Sequence, residues 1–322
     1  MGRCRRRTAI SGIALICGMT LCSCSTTTED GSVVTEPTPV EIVGLVGNKT
    51  NSRASQGLQS TALSTEVKMG LLAYNATDQT AEGTNPYMYT IAEGGKMSCS
   101  TTHVLSYPYD GTALNLYSFI PYNDATSSYS DKDATTYTFS ILSDQTSDAN
   151  YLASDLLYGS FLDATETNQP SIRYYHKTAR LDVNLTRDAT LDMKYLRGAT
   201  FSIVGVKPKV KILLSDGTVT TDDTAEEVSV DFLKIPTDAS DDLTTFNASL
   251  RFPAQTFTGG NDFMRITFAN GNTSSIKLKN TFTAVNGTYY PYSFTLSPTS
   301  VTIDSQLAKF SEVNINGSAT EQ

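Results

Sequence analysis

Apolar and polar residues alternate in short runs along most of the chain after Val40. Alternation with a period of two is the pattern of a half-buried β-strand. Hydrophobic periodicity of the helical kind is scarce, and only residues 148–157 predict a helical turn or two. The clearest alternating runs are 181–185, 264–268, 276–278 and 301–304, and the turn pairs typical of hairpins are Asp110-Gly111, Asp216-Gly217, Asn270-Gly271 and Asn286-Gly287. The pattern therefore predicts a nearly all-β protein of short strands, as in β-sandwiches.

The first apolar run differs from the others because it is apolar on both faces. Its aliphatic residues are Val40, Ile42, Val43, Leu45 and Val46. We expect this strand to be covered on both sides. A polar loop, residues 47–56, follows it and contains Arg53.

A polar segment at residues 163–170 suggests a boundary between two sandwich domains, 40–170 and 171–322. Residues 174–185 after it predict one long strand that contains His176. A lone histidine on a strand is usually structural and bonds a neighbouring carbonyl, and a ligand role is the alternative.

The N-terminus has the form of a secretion signal. Arginines occupy four of positions 3–7, and an uncharged apolar run covers residues 9–21, too short to span a bilayer as a helix. Leu21-Cys22-Ser23-Cys24 resembles the bacterial lipobox, which predicts a signal peptide at 1–23 and lipidation of Cys24. Residues 24–39 are rich in Ser, Thr, Glu and Pro, and predict a flexible tether.

Charge and cysteine content narrow the classes of partner. The chain has net charge −9, and loss of residues 1–23 would remove four of its 24 basic and none of its 33 acidic residues, leaving −13. Nucleic acid is therefore an unfavourable partner. Of the five cysteines only Cys24 and Cys99 would remain, so no disulfide within the chain is expected. The acidic pair Glu29-Asp30 behind Cys24 resembles the surface-export signal of Bacteroidota lipoproteins.

Motifs for catalysis or metal binding are lacking. The two histidines, His103 and His176, are far apart, and Gly94-Gly95-Lys96 lacks the remaining residues of a phosphate loop. Two acidic clusters could bind calcium, but they lack the glycine and terminal glutamate of a calcium loop, which favours solvated loops. These clusters are Asp131 with Asp133, and Asp222, Asp223, Glu226 and Glu227. We expect no enzyme activity, no metal and no cofactor.

Several fragments together resemble the fimbrillin (Mfa-like, FimA-like) family of Bacteroidales surface lipoproteins. Residues 176–185 are similar to its "H-x-x-A-K/R-L-x-V-x-L" strand. The others follow in the family's order: Leu116-Tyr117-Ser118-Phe119-Ile120-Pro121-Tyr122, Asp155-Leu156-Leu157-Tyr158, Phe252-Pro253-Ala254-Gln255, and the strand at 287–296. The chain departs at its end, where relatives often have a Trp and this one has Leu307-Ala308-Lys309-Phe310.

The resemblance implies two transthyretin-like β-sandwiches, delivery to the outer membrane surface as a lipoprotein, and assembly with other fimbrial subunits by donor-strand exchange. A ligand on a host or bacterial surface would be a further partner. The alternative function is a glycan-binding surface lipoprotein of a nutrient-uptake system. The absence of Trp and the placing of most of the 17 Tyr in strand patterns favour the fimbrial hypothesis.

In fimbrillins the first strand is lost after cleavage behind an arginine. Here that cut would fall between Arg53 and Ala54. Removal of the strand would expose an apolar groove that a strand of another subunit could fill. Candidate donor residues are Val301, Ile303 and Val313. An ordinary first strand beside a surface arginine is the alternative, and the sequence does not decide between them.

Overall fold

The computed structural model describes residues 26–27, 33–34, 38–46, 63, 65, 67–83, 85–99, 104–122, 136–298, 308–310 and 319–320. The chain divides into two units, Met1–Thr38 and Pro39–Gln322. In the first unit, β1 (Thr26–Thr27) pairs with β2 (Val33–Val34) in antiparallel orientation. Both strands lie in the stretch predicted as a tether.

Seven strands of the second unit form a sheet that closes on itself, here called the closed sheet. The strands are β3 (Ile42–Val46), β4 (Lys68–Asn75), β5 (Tyr87–Ile91), β6 (Lys96–Cys99), β7 (Leu114–Ile120), β9 (Leu157–Ala164) and β10 (Ser171–His176). Their order around the sheet is β10-β3-β6-β5-β4-β7-β9. A 3-10 turn, Glu93–Gly95, leads into β6.

The other strands of this unit form four further sheets. The strands are β8 (Thr136–Ser140), β11 (Ala179–Arg187), β12 (Thr200–Val206), β13 (Lys209–Leu213), β14 (Val219–Thr221), β15 (Val228–Lys234), β16 (Thr245–Phe252), β17 (Thr256–Phe257), β18 (Asp262–Thr267), β19 (Thr273–Lys277), β20 (Phe282–Thr283), β21 (Thr288–Pro298), β22 (Ala308–Phe310) and β23 (Ala319–Thr320). One sheet has the order β16-β11-β21-β22, and β23 also pairs with β21. The other sheets are β15-β12-β18-β19, β14-β13-β8 and the pair β17-β20.

Two hydrophobic cores result from these sheets. The smaller core fills the closed sheet, and the larger one lies among the remaining sheets. Strand β4 contributes to both, because Leu71 and Ala73 face the smaller core whereas Leu72 and Tyr74 face the larger. Every residue of β7 is buried for the same reason, which explains why that strand shows no alternation in the sequence.

The prediction of a nearly all-β fold is confirmed. In β11 the side chains of Leu181, Val183 and Leu185 are buried, as their alternation predicted. The α-helix among the described residues is α1 (Asp148–Ala153), inside the stretch predicted to be helical, and Ser147 caps it by accepting from the Asn150 backbone N–H. None of the helices in the described part of the chain is long and apolar enough to cross a membrane.

The prediction of one long strand over residues 174–185 is wrong. β10 ends at His176 and β11 begins at Ala179, and the two belong to different sheets. Lys177 and Thr178 link the two strands: the Lys177 N–H donates to Leu156 O, next to the pairing of β10 with β9, and Thr178 O accepts from the Gly287 N–H, next to the pairing of β11 with β21. Sheet membership thus changes at these two residues, and the division into two sandwich domains stays a proposal.

Candidate functional site

The first strand, β3, completes the closed sheet. It pairs in parallel with β10 and antiparallel with β6, with Val43 opposite both Ser171 and Lys96. Just before it, the Val40 N–H donates to Leu105 O at 2.9 Å. Removing β3 would therefore leave two neighbouring strands without a backbone partner on that side.

The expectation that this strand is covered on both sides is wrong. Val40 and Ile42 are buried, with 4% and 2% of their surface exposed, but Val43 and Leu45 are 36% and 48% exposed. Val46 is half-buried. Successive side chains of a strand point to opposite faces, and here one of those faces is open to solvent. An apolar outer face of this kind cannot be told from a buried one in the sequence.

Gly44 occupies a narrow slot, where a side chain would require the ends of neighbouring side chains to shift. A Cβ built on it would overlap Met97 Cε and lie 2.7 Å from Leu63 Cδ1 and 3.0 Å from Tyr174 Cε2. The backbone of Gly95 also comes close, because a Cβ on Gly95 would overlap the Gly44 carbonyl oxygen. The inward positions 40, 42 and 44 thus hold two aliphatic side chains followed by a glycine.

Strand β10 is held by contacts that do not involve β3. The Tyr174 hydroxyl lies 2.6 Å from Ser118 Oγ on β7 and bonds Met69 Sδ on β4. Burial raises the pKa of Tyr174, so the phenol stays neutral. At the end of the strand, His176 reaches a buried carboxylate.

That carboxylate belongs to Asp155, in the loop between α1 and β9. Its Oδ1 accepts from His176 Nδ1 at 2.8 Å, and its Oδ2 lies 3.3 Å from Arg251 Nη2 on β16. All three side chains are almost fully excluded from solvent. Burial alone would raise the pKa of Asp155, but Arg251, His176 and Arg180 more than offset burial and hold the pKa below its usual value.

Two arginines meet at this cluster. Arg180 on β11 and Arg251 on β16 are fully buried and directly opposite each other, an arrangement that repels unless it is compensated. Arg180 Nε donates to Asp182 Oδ1 at 2.7 Å, and Asp155 balances Arg251. The two arginines and two carboxylates sum to zero charge when His176 is neutral. Gln145 bonds the backbone of Arg251 on both sides. Its Oε1 accepts from the Arg251 N–H and its Nε2 donates to Arg251 O, each at 2.8 Å.

The sequence placed His176 in a structural role, bonding a carbonyl. The structure gives it a carboxylate partner instead. Asp155, Arg180 and Arg251 did not stand out as functional residues, although each lies in or next to a fragment that resembles the fimbrillins. The cluster is where these three distant fragments meet.

Several residues singled out from the sequence lie beyond the described part of the chain. They are Cys24, Arg53, Ala54, Asp131, Asp133, Val301, Ile303 and Val313. Asp222 accepts from the Thr224 N–H in a tight turn, and Asp223 bonds Lys207 Nζ at 2.7 Å. Among the described residues, no group of three or more His, Cys, Asp or Glu could hold a metal ion. Cys99 is a half-buried thiol whose Sγ donates to Met88 O.

Comparison with known proteins begins with solved structures that share this fold. A Bacteroides uniformis protein named for cell adhesion superimposes with a TM-score of 0.57 at 16% identity, covering 88% of this chain and 97% of its own. A similarly named Bacteroides ovatus protein gives 0.60 at 14% identity, covering 87% and 97%. One from Bacteroides fragilis gives 0.51 at 12% identity, covering 88% and 99%.

Curated protein sequences offer no significant match to this chain. A family model does match, and its alignment runs over residues 52–316, which includes every described strand from β4 to β22 and the buried charge cluster. On this evidence the chain belongs to the fimbrillin-like family.

Proposed function

We propose that this protein is a fimbrial subunit, or a fimbrillin-like surface adhesion protein, that assembles when its first strand is exchanged for a strand of another subunit. Membership of the fimbrillin-like family supports a fimbrial or adhesive role at the cell surface. The observation that carries the exchange step is the position of β3 between β10 and β6, where its loss opens two edges. The role is structural rather than catalytic.

Burial of the side chains of the first strand contributes a moderate free energy. Val40 and Ile42 are the fully buried aliphatic residues of the first strand, and burial stabilises by about 1.5–3 kcal/mol for each such side chain. Their sum, about 3–6 kcal/mol, is smaller than burial of all five aliphatic residues would give. A replacement strand that fills the same inward positions would regain this energy, and the open edges give it backbone partners.

Cleavage after Arg53 is the step that would release the strand. The test is limited digestion of the full chain with an arginine-specific protease, followed by N-terminal sequencing and size-exclusion chromatography. We expect a chain that begins at Ala54 and forms polymers, whereas Arg53→Gln should stay intact and monomeric. Resistance at Arg53, or cleavage that leaves a monomer, would count against strand exchange.

Before assembly, the subunit would be held at the outer membrane through a lipid on Cys24. The lipobox and the acidic residues behind it support this location. Other fimbrial subunits are then the partners, as a homopolymer or with related chains. Nucleic acid is not expected to bind, because the chain is acidic.

Glycan binding is the second candidate function, and exposed tyrosine rings favour it. Tyr109, in the turn before β7, is 71% exposed, and Tyr175 on the outer face of β10 is 41% exposed. Sugar rings stack on such surfaces. A glycan array probed with the wild-type chain and with Tyr109→Ala distinguishes the two functions, since saturable binding lost in the variant would support the glycan hypothesis.

A further inference from the structure

Several turns lie side by side at one end of the closed sheet. Leu114, at the start of β7, is opposite both Asn75 at the end of β4 and Ala164 at the end of β9. The chain just before β3 reaches the same end, since Pro39 pairs with Ser106. The segments that meet there are residues 39–41, 76–82, 106–113 and 163–170.

Every charged side chain on these four segments is acidic. They contain no Lys, Arg or His, and their carboxylates are Glu41, Asp78, Glu82, Asp110, Asp163 and Glu166. We call this end of the closed sheet the acidic rim. A surface with charges of one sign attracts a partner of the opposite sign. Acidic residues also keep a protein soluble, so charge alone does not identify a ligand.

A buried phenol within the rim points to a ligand. Tyr107 is 6% exposed, and its hydroxyl makes no hydrogen bond to any described residue. Burial raises the pKa of Tyr107 and the nearby carboxylates of Glu166 and Glu41 raise it further, so the phenol stays neutral. Buried polar atoms are nearly always hydrogen-bonded in folded proteins. A group from outside the chain is therefore needed to satisfy this hydroxyl, and the carboxylates beside it select a cation.

The ammonium of a lysine side chain has the chemistry that this site requires. It carries three N–H donors and no acceptor, and the site offers the Tyr107 hydroxyl oxygen and the exposed carboxylates of Glu41 and Glu166 as acceptors. The ring of Tyr109, two residues along the same segment, is 71% exposed. An aromatic face attracts a cation and covers the aliphatic stem of a lysine.

We propose that the acidic rim binds a lysine-rich segment of a partner protein, with one ammonium held between Glu41, Glu166 and the Tyr107 hydroxyl. The inference rests on the adhesive part of the proposed function, for which it names a partner, and it is independent of strand exchange. A peptide segment is favoured because the carboxylates are spread over four segments of the rim, so that successive lysines of one chain pair with several of them at once.

Binding of a defined peptide to the full chain tests the proposal. The probe is a fluorescent peptide with three lysines at alternate positions among glycines, and its binding is followed by fluorescence anisotropy at about 0.15 M salt. The same peptide with acetylated lysines is the ligand control, because acetylation removes the charge. We expect saturable binding of the lysine peptide alone. Equal binding of the acetylated peptide, or binding of neither, would overturn the proposal.

Paired variants distinguish the rim from the overall charge of the chain. Glu41→Gln combined with Glu166→Gln should weaken binding by about 2- to 30-fold, the range for two exposed ion pairs. Asp222→Asn combined with Asp223→Asn makes the same change of net charge in the turn after β14, outside the rim, and should bind like wild type. Equal weakening by the two combinations would mean that binding follows net charge, which would overturn the site.

Tyr107→Phe tests the hydroxyl without any change of charge. It should weaken binding by about 2- to 12-fold, the range for one net hydrogen bond. Tyr151→Phe is the matched control, because its hydroxyl is also buried without a described partner but lies with Arg251 in the charge cluster. Strand exchange is measured separately, by polymer formation of the cut chain, so a failure of either proposal is distinguishable. Unchanged peptide binding by Tyr107→Phe would overturn the ammonium site.

Discussion

Replacing Asp155 by Asn removes the negative charge at the centre of the buried cluster. The variant keeps the size of the side chain and leaves the contact between Arg180 and Asp182 in place, but it removes the charged partner of Arg251. Removing one member of a buried ion pair costs about 3–5 kcal/mol. For comparison, Asp223→Asn removes a contact of 2.7 Å to Lys207 Nζ, which is shorter than the 3.3 Å between Asp155 and Arg251. Asp223 is 84% exposed, however, and exposed ion pairs contribute about 0.2–1 kcal/mol. Burial rather than distance should decide the effect.

Urea unfolding measures the difference. With an m-value of about 3 kcal/mol/M for a chain of this size, Asp155→Asn should lower the unfolding midpoint by about 1–1.7 M, and Asp223→Asn by less than about 0.4 M. Circular dichroism and tyrosine fluorescence are suitable probes because the chain has no Trp.

Acid gives a second measurement of the same cluster. The pKa of Asp155 is lowered in the folded chain, so its stabilising contribution is complete above the unfolded pKa of about 3.9 and is lost as the pH falls through the lower folded value. Asp155→Asn should therefore lose less stability than wild type on acidification below about pH 5. A midpoint equal to that of Asp223→Asn at pH 7, together with an unchanged acid dependence, would refute the reasoning.

Three further predictions concern the anchor, the slot and a loop. Cys24→Ala should abolish lipid labelling and release the protein from membranes, which fractionation with radiolabelled palmitate checks; retention would contradict lipidation. Gly44→Val should lower the free energy of unfolding by about 1–3 kcal/mol, and Leu45→Val by less than about 0.5 kcal/mol, because only the first side chain meets Met97. Arg187→Met should speed hydrogen exchange in the loop at 236–243, where its guanidinium bonds Leu243 O and Asp241 O, and unchanged exchange would show that those bonds do not hold the loop.

Much of the architecture could be predicted from the sequence, because the alternation of apolar and polar residues along a strand reflects which of its faces is buried. The half-buried strand β11 was found in this way, and the short helix α1 lies in residues 148–157, the stretch whose pattern predicted a helical turn or two. The same reasoning failed for β3. Its Val43 and Leu45 are exposed, but as aliphatic residues they give the same sequence pattern as buried ones. It also failed at His176, where a continuous strand pattern crosses from one sheet to another.

What only the tertiary structure decided is which distant residues meet. Asp155, Arg180 and Arg251 are ordinary charged residues in the sequence, and their burial follows from three strands and a loop converging after the crossover at Lys177 and Thr178. The Gly44 slot has the same origin, since its walls come from Met97, Leu63 and Tyr174. Sequence pattern is local and reports which face of a strand is apolar, whereas the charge balance and the steric limits arise from contacts between segments far apart in the chain.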